Sequence, residues 1–92
     1  MNIRHQEVIL AEIRQERQKQ DQIWGKTFDD RNTLVEWITY ITKYAGNAYT
    51  HKWDVYVFRT KMLQVAAIAV AAVEAIDRRL KRERKQAQQA VA

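Results

Sequence analysis

The sequence predicts an all-α chain of three helices that forms a helical-bundle homo-oligomer. Proline is absent and only two glycines occur, while residues that favour helix are abundant. Extended strands with turn clusters between them are hard to find. The segment from Met62 to Val73 has one polar residue, Gln64, so the helix that it forms is apolar all round and needs cover on every side. A chain of 92 residues has little surface to spare for this cover, so we expect other copies to supply it, as a dimer or a tetramer.

The same apolar segment is too short to cross a bilayer. A helix of this length spans about 18 Å, whereas a membrane-spanning helix needs about 20 apolar residues. Charged residues flank it on both sides, at Arg59, Lys61, Glu74 and Asp77. The N-terminus lacks the apolar stretch of a signal peptide, and the absence of cysteine excludes disulfides and thiolate metal ligands. We therefore expect a cytoplasmic protein that does not enter a membrane.

The first helix is predicted from about Ile3 to Trp24, with Gly25 as its end. Its first half supplies the residues that we expect in the core, namely Val8, Ile9, Leu10 and Ile13. Residues 14–22 are strongly polar, and the segment after Gly25 is interpreted as a loop. In that loop, Asp29 and Asp30 are interpreted as turn residues.

The second helix begins at a capping box, in which Thr33 is followed three residues later by Glu36. Gly46 is its predicted end. Apolar residues at helical spacing form one stripe along it: Leu34, Trp37, Ile38, Ile41, Tyr44 and Ala45.

The third helix, capped by Asp54, is predicted to exceed thirty residues and to run through the apolar segment into a basic tail. Residues 78–92 carry six basic groups and one acidic group, whereas residues 1–77 are close to neutral. We expect one helical domain over residues 1–80 and a basic, Ala/Gln-rich extension over residues 81–92 whose end frays. The extension either is a solvated helix end or contacts nucleic acid through Arg78, Arg79, Lys81, Arg82, Arg84 and Lys85.

Few residues offer chemistry. Serine is absent, and His5 and His51 have no ligand spacing. Glu12 and Glu16 are one turn apart and can share a divalent ion, although pairing with nearby Arg17, Lys19 and Gln20 is favoured. Glu74 and Asp77 also share a face, but they are expected to pair with Arg78 and Lys81.

The aromatic residues divide into two groups. Trp37, Tyr44 and Phe58 fall on apolar stripes, so we expect them in the core. Tyr49, Trp53 and Tyr56 cluster near the connection between helices two and three. For these three, packing in the core or an interface is favoured over the mouth of a pocket.

Two stretches resemble a known family. They are Glu16-Arg17-x-x-Gln20-Asp21-x-x-Trp24-Gly25 on helix one and Met62-Leu63-Gln64-Val65-Ala66-Ala67-Ile68-Ala69-Val70 on helix three. Together they resemble small phage- and mobile-element-encoded proteins of the MazG-like, all-α nucleoside triphosphate pyrophosphohydrolase group. The resemblance covers roughly residues 8–80. It implies a helical dimer or tetramer that binds Mg²⁺ and cleaves nucleotides to monophosphate and pyrophosphate.

The sequence departs from that family at its acidic motifs. Where the family has Glu-Glu-x-x-Glu, helix two keeps at most the leading Glu36, and where it has Glu-x-x-Asp, Lys61-Met62-Leu63-Gln64 replaces both acids. A phosphate site with Mg²⁺ cannot be built from one carboxylate and a lysine.

Two function hypotheses follow. The favoured one is an oligomeric binding protein without an intact metal site. Its basic tails contact nucleic acid or an acidic partner, or its interhelical groove holds a small ligand such as a nucleotide. The alternative is a divergent Mg²⁺-dependent pyrophosphohydrolase that uses Glu12, Glu16 and Glu36. The candidate ligand or phosphate contacts are Arg17, Asp21, Trp24 and Lys61. In the enzyme hypothesis, Trp24 or Trp37 stacks the base, and Arg17 or Lys61 meets the phosphate.

Overall fold

The computed structural model describes the backbone of residues 2–91 and the side chains of residues 2–90. Met1 and Ala92, at the ends of the predicted domain and extension, lie outside these residues. The described chain contains four helices and no strand: α1 (Ile3–Ile23), α2 (Gly25–Arg31), α3 (Leu34–Thr50) and α4 (Val55–Val91). The predicted all-α class is confirmed, and the predicted number of helices is wrong by one.

Helix α1 begins and ends close to its predicted bounds. The Asn2 side chain caps its start by accepting a hydrogen bond from the backbone N–H of Arg4 at 2.8 Å. Gly25, immediately after the C-cap residue Trp24, has a φ of +79°. Only glycine adopts this backbone conformation without strain. Gly25 therefore ends α1, as predicted.

The predicted core of α1 is wrong. Val8 and Leu10 are exposed and Ile9 and Ile13 are only partly buried. The buried residues are instead Arg17 and Gln20. Both have polar partners on other helices, which a periodicity of apolar residues cannot reveal.

Helix α2 occupies the segment that was predicted as a loop. It places Asp29 in a buried position and Asp30 in a partly buried one, so neither is a simple turn residue. The ring of Phe28 stacks on Trp24, with 6.0 Å between ring centroids. This aromatic contact folds α2 back against the end of α1.

The predicted capping box of α3 is confirmed. The hydroxyl of Thr33 accepts from the backbone N–H of Glu36 at 3.1 Å, and the carboxylate of Glu36 accepts from the backbone N–H of Thr33 at 3.0 Å. The predicted end at Gly46 is wrong, because α3 continues to Thr50. Gly46 keeps a negative φ, and one glycine inside a helix costs only about 1 kcal/mol.

Helix α4 is the central element. Asp54 caps it as predicted, accepting at 3.2 Å from the backbone N–H groups of Tyr56 and Val57. It has 37 residues, and within the described chain it packs against each of the other helices, whereas α1 and α3 do not pack on each other. The core lies between α3 and α4 and consists of Trp37, Ile68, Ala71, Ala72 and Ala75, with Tyr40, Ile41 and Tyr44 packed against it.

The predicted stripe of α3 needs correction. Trp37 is buried and Ile41 and Tyr44 are partly buried, but Leu34, Ile38 and Ala45 are exposed. The tail is helical through residues 81–91, although the side chains of residues 81–90 are all exposed.

The apolar segment of α4 is covered on one side only. Ala67, Ile68, Ala71 and Ala72 are buried, whereas Val73 on the opposite side is 58% exposed. By length and composition, α4 is also the one described helix that could cross a membrane. The core helix of a soluble protein satisfies the same criterion.

Candidate binding site

A cavity of about 310 Å³ lies between the end of α1, α2, α3 and the middle of α4. Five aromatic side chains line it, and Ile68 and Ala71 of α4 form an apolar part of its wall. The aromatic residues are Trp24, Phe28, Trp37, Tyr40 and Tyr44. The polar lining consists of Gln20, Asp29 and Lys43.

The aromatic wall is a connected set of rings. Phe28 stacks on Trp24 at an interplanar angle of 23°, and it lies 6.0 Å from Tyr40 at 42°. Trp37 and Tyr44 belong to the core or pack against it, so their positions are fixed by the fold. Such a wall offers flat, rigid surfaces on which a planar ligand can stack.

The polar end of the cavity is rich in hydrogen-bond acceptors. Asp29 is only 6% exposed and Gln20 only 8%. The Gln20 amide nitrogen donates to the backbone carbonyl of Gln64 at 3.4 Å, which leaves the amide oxygen as an acceptor. A ligand with N–H donors is complementary to these two side chains.

The pKa of the Asp29 carboxyl group is subject to opposing influences. Burial raises the pKa of its carboxyl group above the ordinary value, because the charged form loses its hydration. The charge of Arg17, whose Nη2 lies 3.6 Å from the Asp29 Oδ2 atom, partly offsets this shift. Asp29 therefore sits between the cavity on one side and a buried cation on the other.

Arg17 is the centre of an ion cluster that joins three helices. Its Nε donates to Glu74 of α4 at 2.8 Å, and its Nη2 donates to Asp21 of α1 at 2.8 Å. Burial would lower the pKa of Arg17, but the hydrogen bonds to Glu74 and Asp21 outweigh it and the pKa rises. The predicted pairing of Glu74 with Arg78 is wrong, because Arg17 takes its place.

A second ion pair fixes α2 on α4. The Arg78 Nε atom donates to Asp30 at 2.8 Å, and Arg82 Nη1 lies 3.9 Å from the same carboxylate. Both aspartates of α2 thus face cations of other helices. This explains why a segment that was interpreted as a loop forms an ordered helix of seven residues.

The residues predicted to hold a metal are not brought together. Glu12 is held by Arg59 through two hydrogen bonds of 2.7 and 2.8 Å, which lower the pKa of Glu12. Glu16 pairs with Lys19 at 3.4 Å, and Glu36 is used in the capping box of α3. Among the described residues, no group of three or more His, Asp or Glu side chains is arranged to hold a metal ion. The arrangement does not fit a Mg²⁺ site.

Of the four predicted ligand contacts, Trp24 alone lines the cavity. Arg17 lies behind Asp29, and Asp21 belongs to the ion cluster. Lys61 is partly buried on α4 and does not line the cavity.

Sequence reasoning missed Gln20, Phe28, Asp29, Tyr40 and Lys43. A usable signal was the aromatic series Trp37, Tyr40 and Tyr44, at i, i+3 and i+7, which lies on one face of α3.

The predicted nucleic-acid contacts divide into two groups. Arg78 and Arg82 face Asp30, and Arg79 donates to Glu83 at 3.0 Å. Lys81, Arg84 and Lys85 have no carboxylate within ion-pair distance in the described part of the chain. The predicted Asp77–Lys81 pair does not form either.

The chain matches no protein-family model, no curated protein and no solved structure at a significant level.

Proposed function

We propose that the protein is a homo-oligomeric helical binding protein on a MazG-like scaffold, whose aromatic cavity binds the planar base of a nucleotide. One observation carries this proposal: five aromatic side chains line the cavity, and Asp29 and Gln20 provide hydrogen-bond acceptors at one end of it. Ligand pockets commonly combine an apolar lining with a few placed polar groups. The resemblance to a nucleotide-hydrolysing family points to the same ligand class.

The dimensions and the chemistry of the cavity suit a base better than a whole nucleotide. A volume of about 310 Å³ is near the lower end of small-molecule sites, which span about 300–1,000 Å³. A base stacks on Trp24 or Phe28, and its N–H groups donate to Asp29. Lys43, at the exposed edge of the lining, then meets the phosphate outside the cavity.

Assembly is supported by the uncovered side of α4. Apolar side chains such as Val73 would leave water if a second copy packed there, which stabilises association. Cytoplasmic location, absence of membrane contact and a phage or mobile-element origin belong to the same proposal and rest on the sequence alone.

The alternative, a divergent Mg²⁺-dependent pyrophosphohydrolase, is supported by the family resemblance. In that case Glu12, Glu16 and Glu36 would have to leave their present partners and converge. A second binding candidate is nucleic acid at the tail, which is supported by the exposed cations Lys81, Arg84 and Lys85.

Fluorescence tests the cavity directly. The chain has three tryptophans, of which Trp24 and Trp37 line the cavity, whereas Trp53 is 89% exposed elsewhere. In a Trp53→Phe background, nucleosides and nucleotides are expected to quench or shift the remaining emission in a saturable way. A further Phe28→Ala change should weaken binding, because base stacking contributes about 1–3 kcal/mol.

Tyr49→Ala in the same background is the matched control, since Tyr49 is an exposed aromatic residue outside the cavity. Binding with equal affinity in the Phe28→Ala and Tyr49→Ala variants would place the ligand elsewhere. No saturable change with any base would overturn the proposal.

A further inference from the structure

Helix α4 has two opposite apolar faces. The inward face is buried against the other helices through Ala67, Ile68, Ala71, Ala72 and Ala75. The outward stripe consists of Val55, Phe58, Met62, Ala69, Val73 and Leu80, and all six are exposed. At about 100° per residue, the six positions fall within an arc of about 60°. They form one continuous stripe about 38 Å long.

The two ends of this outward stripe differ in chemistry. At its N-terminal end, Trp53 and Tyr56 are 89% and 86% exposed, and Asp54 lies between them in sequence. At its C-terminal end is Arg84, an exposed cation without a carboxylate partner in the described part of the chain. The N-terminal end thus carries exposed aromatic rings and the carboxylate of Asp54 beside Lys52, and the C-terminal end carries a cation.

We propose that the outward stripe packs against the same stripe of a second copy in an antiparallel arrangement, so that each basic tail covers the aromatic turn of its partner. This proposal rests on the homo-oligomer proposed above and adds its geometry and a role for the tail. A parallel arrangement would place the two tails side by side, and their like charges repel. The antiparallel arrangement is symmetric and closes as a dimer.

The spacing along the helix supports this register. Arg84 lies fifteen residues after Ala69, and Asp54 lies fifteen residues before it. Arg84 is also four residues after Leu80, so it continues the outward stripe. When two copies cross at Ala69, where the small side chain allows close approach, Arg84 lies opposite Asp54 of the partner subunit.

The aromatic turn is suited to a cation. Lys52 already lies over the Tyr49 ring at 3.8 Å from its centroid, and 5.6 Å from that of Trp53. A cation is attracted to the face of an aromatic ring, and more strongly when water is excluded. Because Lys52 already lies over these rings, the partner's Arg84 would gain chiefly the charge of Asp54.

Chemical cross-linking tests the orientation, because the chain has no cysteine and each introduced thiol is unique. Arg84→Cys and Asp54→Cys proteins of different tag length are mixed and allowed to exchange subunits. They are then treated with a short bis-maleimide. We expect the mixed 84–54 product to exceed the 84–84 product. Gln15→Cys, at an exposed position of α1, is the control. When it is mixed with the Asp54→Cys protein, we expect no 15–54 product. Leu80→Cys with Phe58→Cys, two positions on the outward stripe at equal distances from Ala69, repeats the test if either first variant loses its helical circular dichroism.

The outcomes separate this inference from the assembly itself. A dimer by light scattering whose main product is 84–84 would overturn the antiparallel arrangement and leave the homo-oligomer intact. A monomer would overturn both. If single-stranded nucleic acid, or phosphatidylcholine–phosphatidylglycerol vesicles, bind the protein and prevent the mixed product when added before the bis-maleimide, the proposal would also be overturned.

Discussion

The Nε atom of Arg17 donates a hydrogen bond to the Glu74 Oε1 atom at 2.8 Å, across 57 positions of sequence. This contact joins α1 to α4 at a point where the buried residues of α1 are polar. Arg17 also faces Asp29, which lines the cavity. The packing of α1 and the charge at the acidic end of the cavity therefore depend on the same guanidinium group.

Replacing Arg17 by methionine is expected to destabilise the fold. The side chain is 11% exposed, and its loss leaves the buried Asp29 without a nearby cation from α1. Removing one partner of a buried ion pair costs about 3–5 kcal/mol, and we expect the lower end because Glu74 and Asp21 are half exposed. Urea unfolding measures the change. Arg14→Met, at an exposed position of α1, should stay within about 0.5 kcal/mol; equal losses in both variants would contradict the prediction.

The stability of the wild-type protein relative to an Asp29→Asn variant is expected to fall as the pH rises. The pKa of Asp29 is raised in the folded state from an ordinary value of 3.8. Above pH 3.8 and up to the raised pKa, the folded state holds more protons than the unfolded state, so the free energy of unfolding decreases through this window and is then constant. Asparagine does not titrate.

Urea midpoints of the two proteins between pH 3 and pH 7 check this expectation. Asp77→Asn, at an exposed carboxylate, is the control. If the urea midpoint of the wild type rises relative to that of Asp29→Asn as the pH increases, the prediction is contradicted. Folding would then favour the charged form of Asp29.

An Ala69→Glu change is expected to dissociate the assembly. Ala69 lies in the middle of the uncovered stripe of α4 and is exposed in one protomer, so the carboxylate is tolerated by the fold but must lose its hydration in an interface. Light scattering at micromolar concentration should show an oligomer for the wild type and a monomer for the variant. Gln15→Glu on α1 adds the same charge away from the stripe and should remain oligomeric. A monomeric wild type would remove the basis of this prediction.

No efficient release of pyrophosphate from ordinary nucleoside triphosphates is expected in the presence of Mg²⁺ or Mn²⁺. Glu12 and Glu16 belong to α1, Glu36 belongs to α3, and each has another partner. A coupled pyrophosphate assay measures the activity. Turnover that is abolished by Glu16→Gln or Glu36→Gln would support the enzyme alternative, since glutamine at position 36 still completes a capping box.

Capping residues and other neighbouring residues predicted where the helices begin and end. They did not predict equally well which side chains are buried. The capping box of Thr33 and Glu36 and the cap at Asp54 depend on residues within a few positions of one another, so they are readable from the chain. The prediction at Gly46 was wrong because its backbone does not take the positive φ of the left-handed glycine that ends many helices. The conformation of such a glycine depends on what the following residues pack against.

The candidate site could be predicted only in part. Trp24 was identified through the stretch that resembles a nucleotide-hydrolysing family, and it lines the cavity. Asp29 was missed because burial, rather than residue type, makes it distinctive. Glu12 has the helical spacing of a metal ligand, but its partner Arg59 lies 47 positions away.

The sequence by itself determined the helical class, the caps, the long α4 and the apolar character of its middle, because these depend on composition, neighbouring residues and helical periodicity. The tertiary structure decided which side of α4 is covered, that residues 25–31 form a helix, and that Arg17, Asp29 and Glu74 meet. These features depend on ion pairs and ring contacts between helices that are far apart in the chain. Their free energy is gained only when the helices pack together.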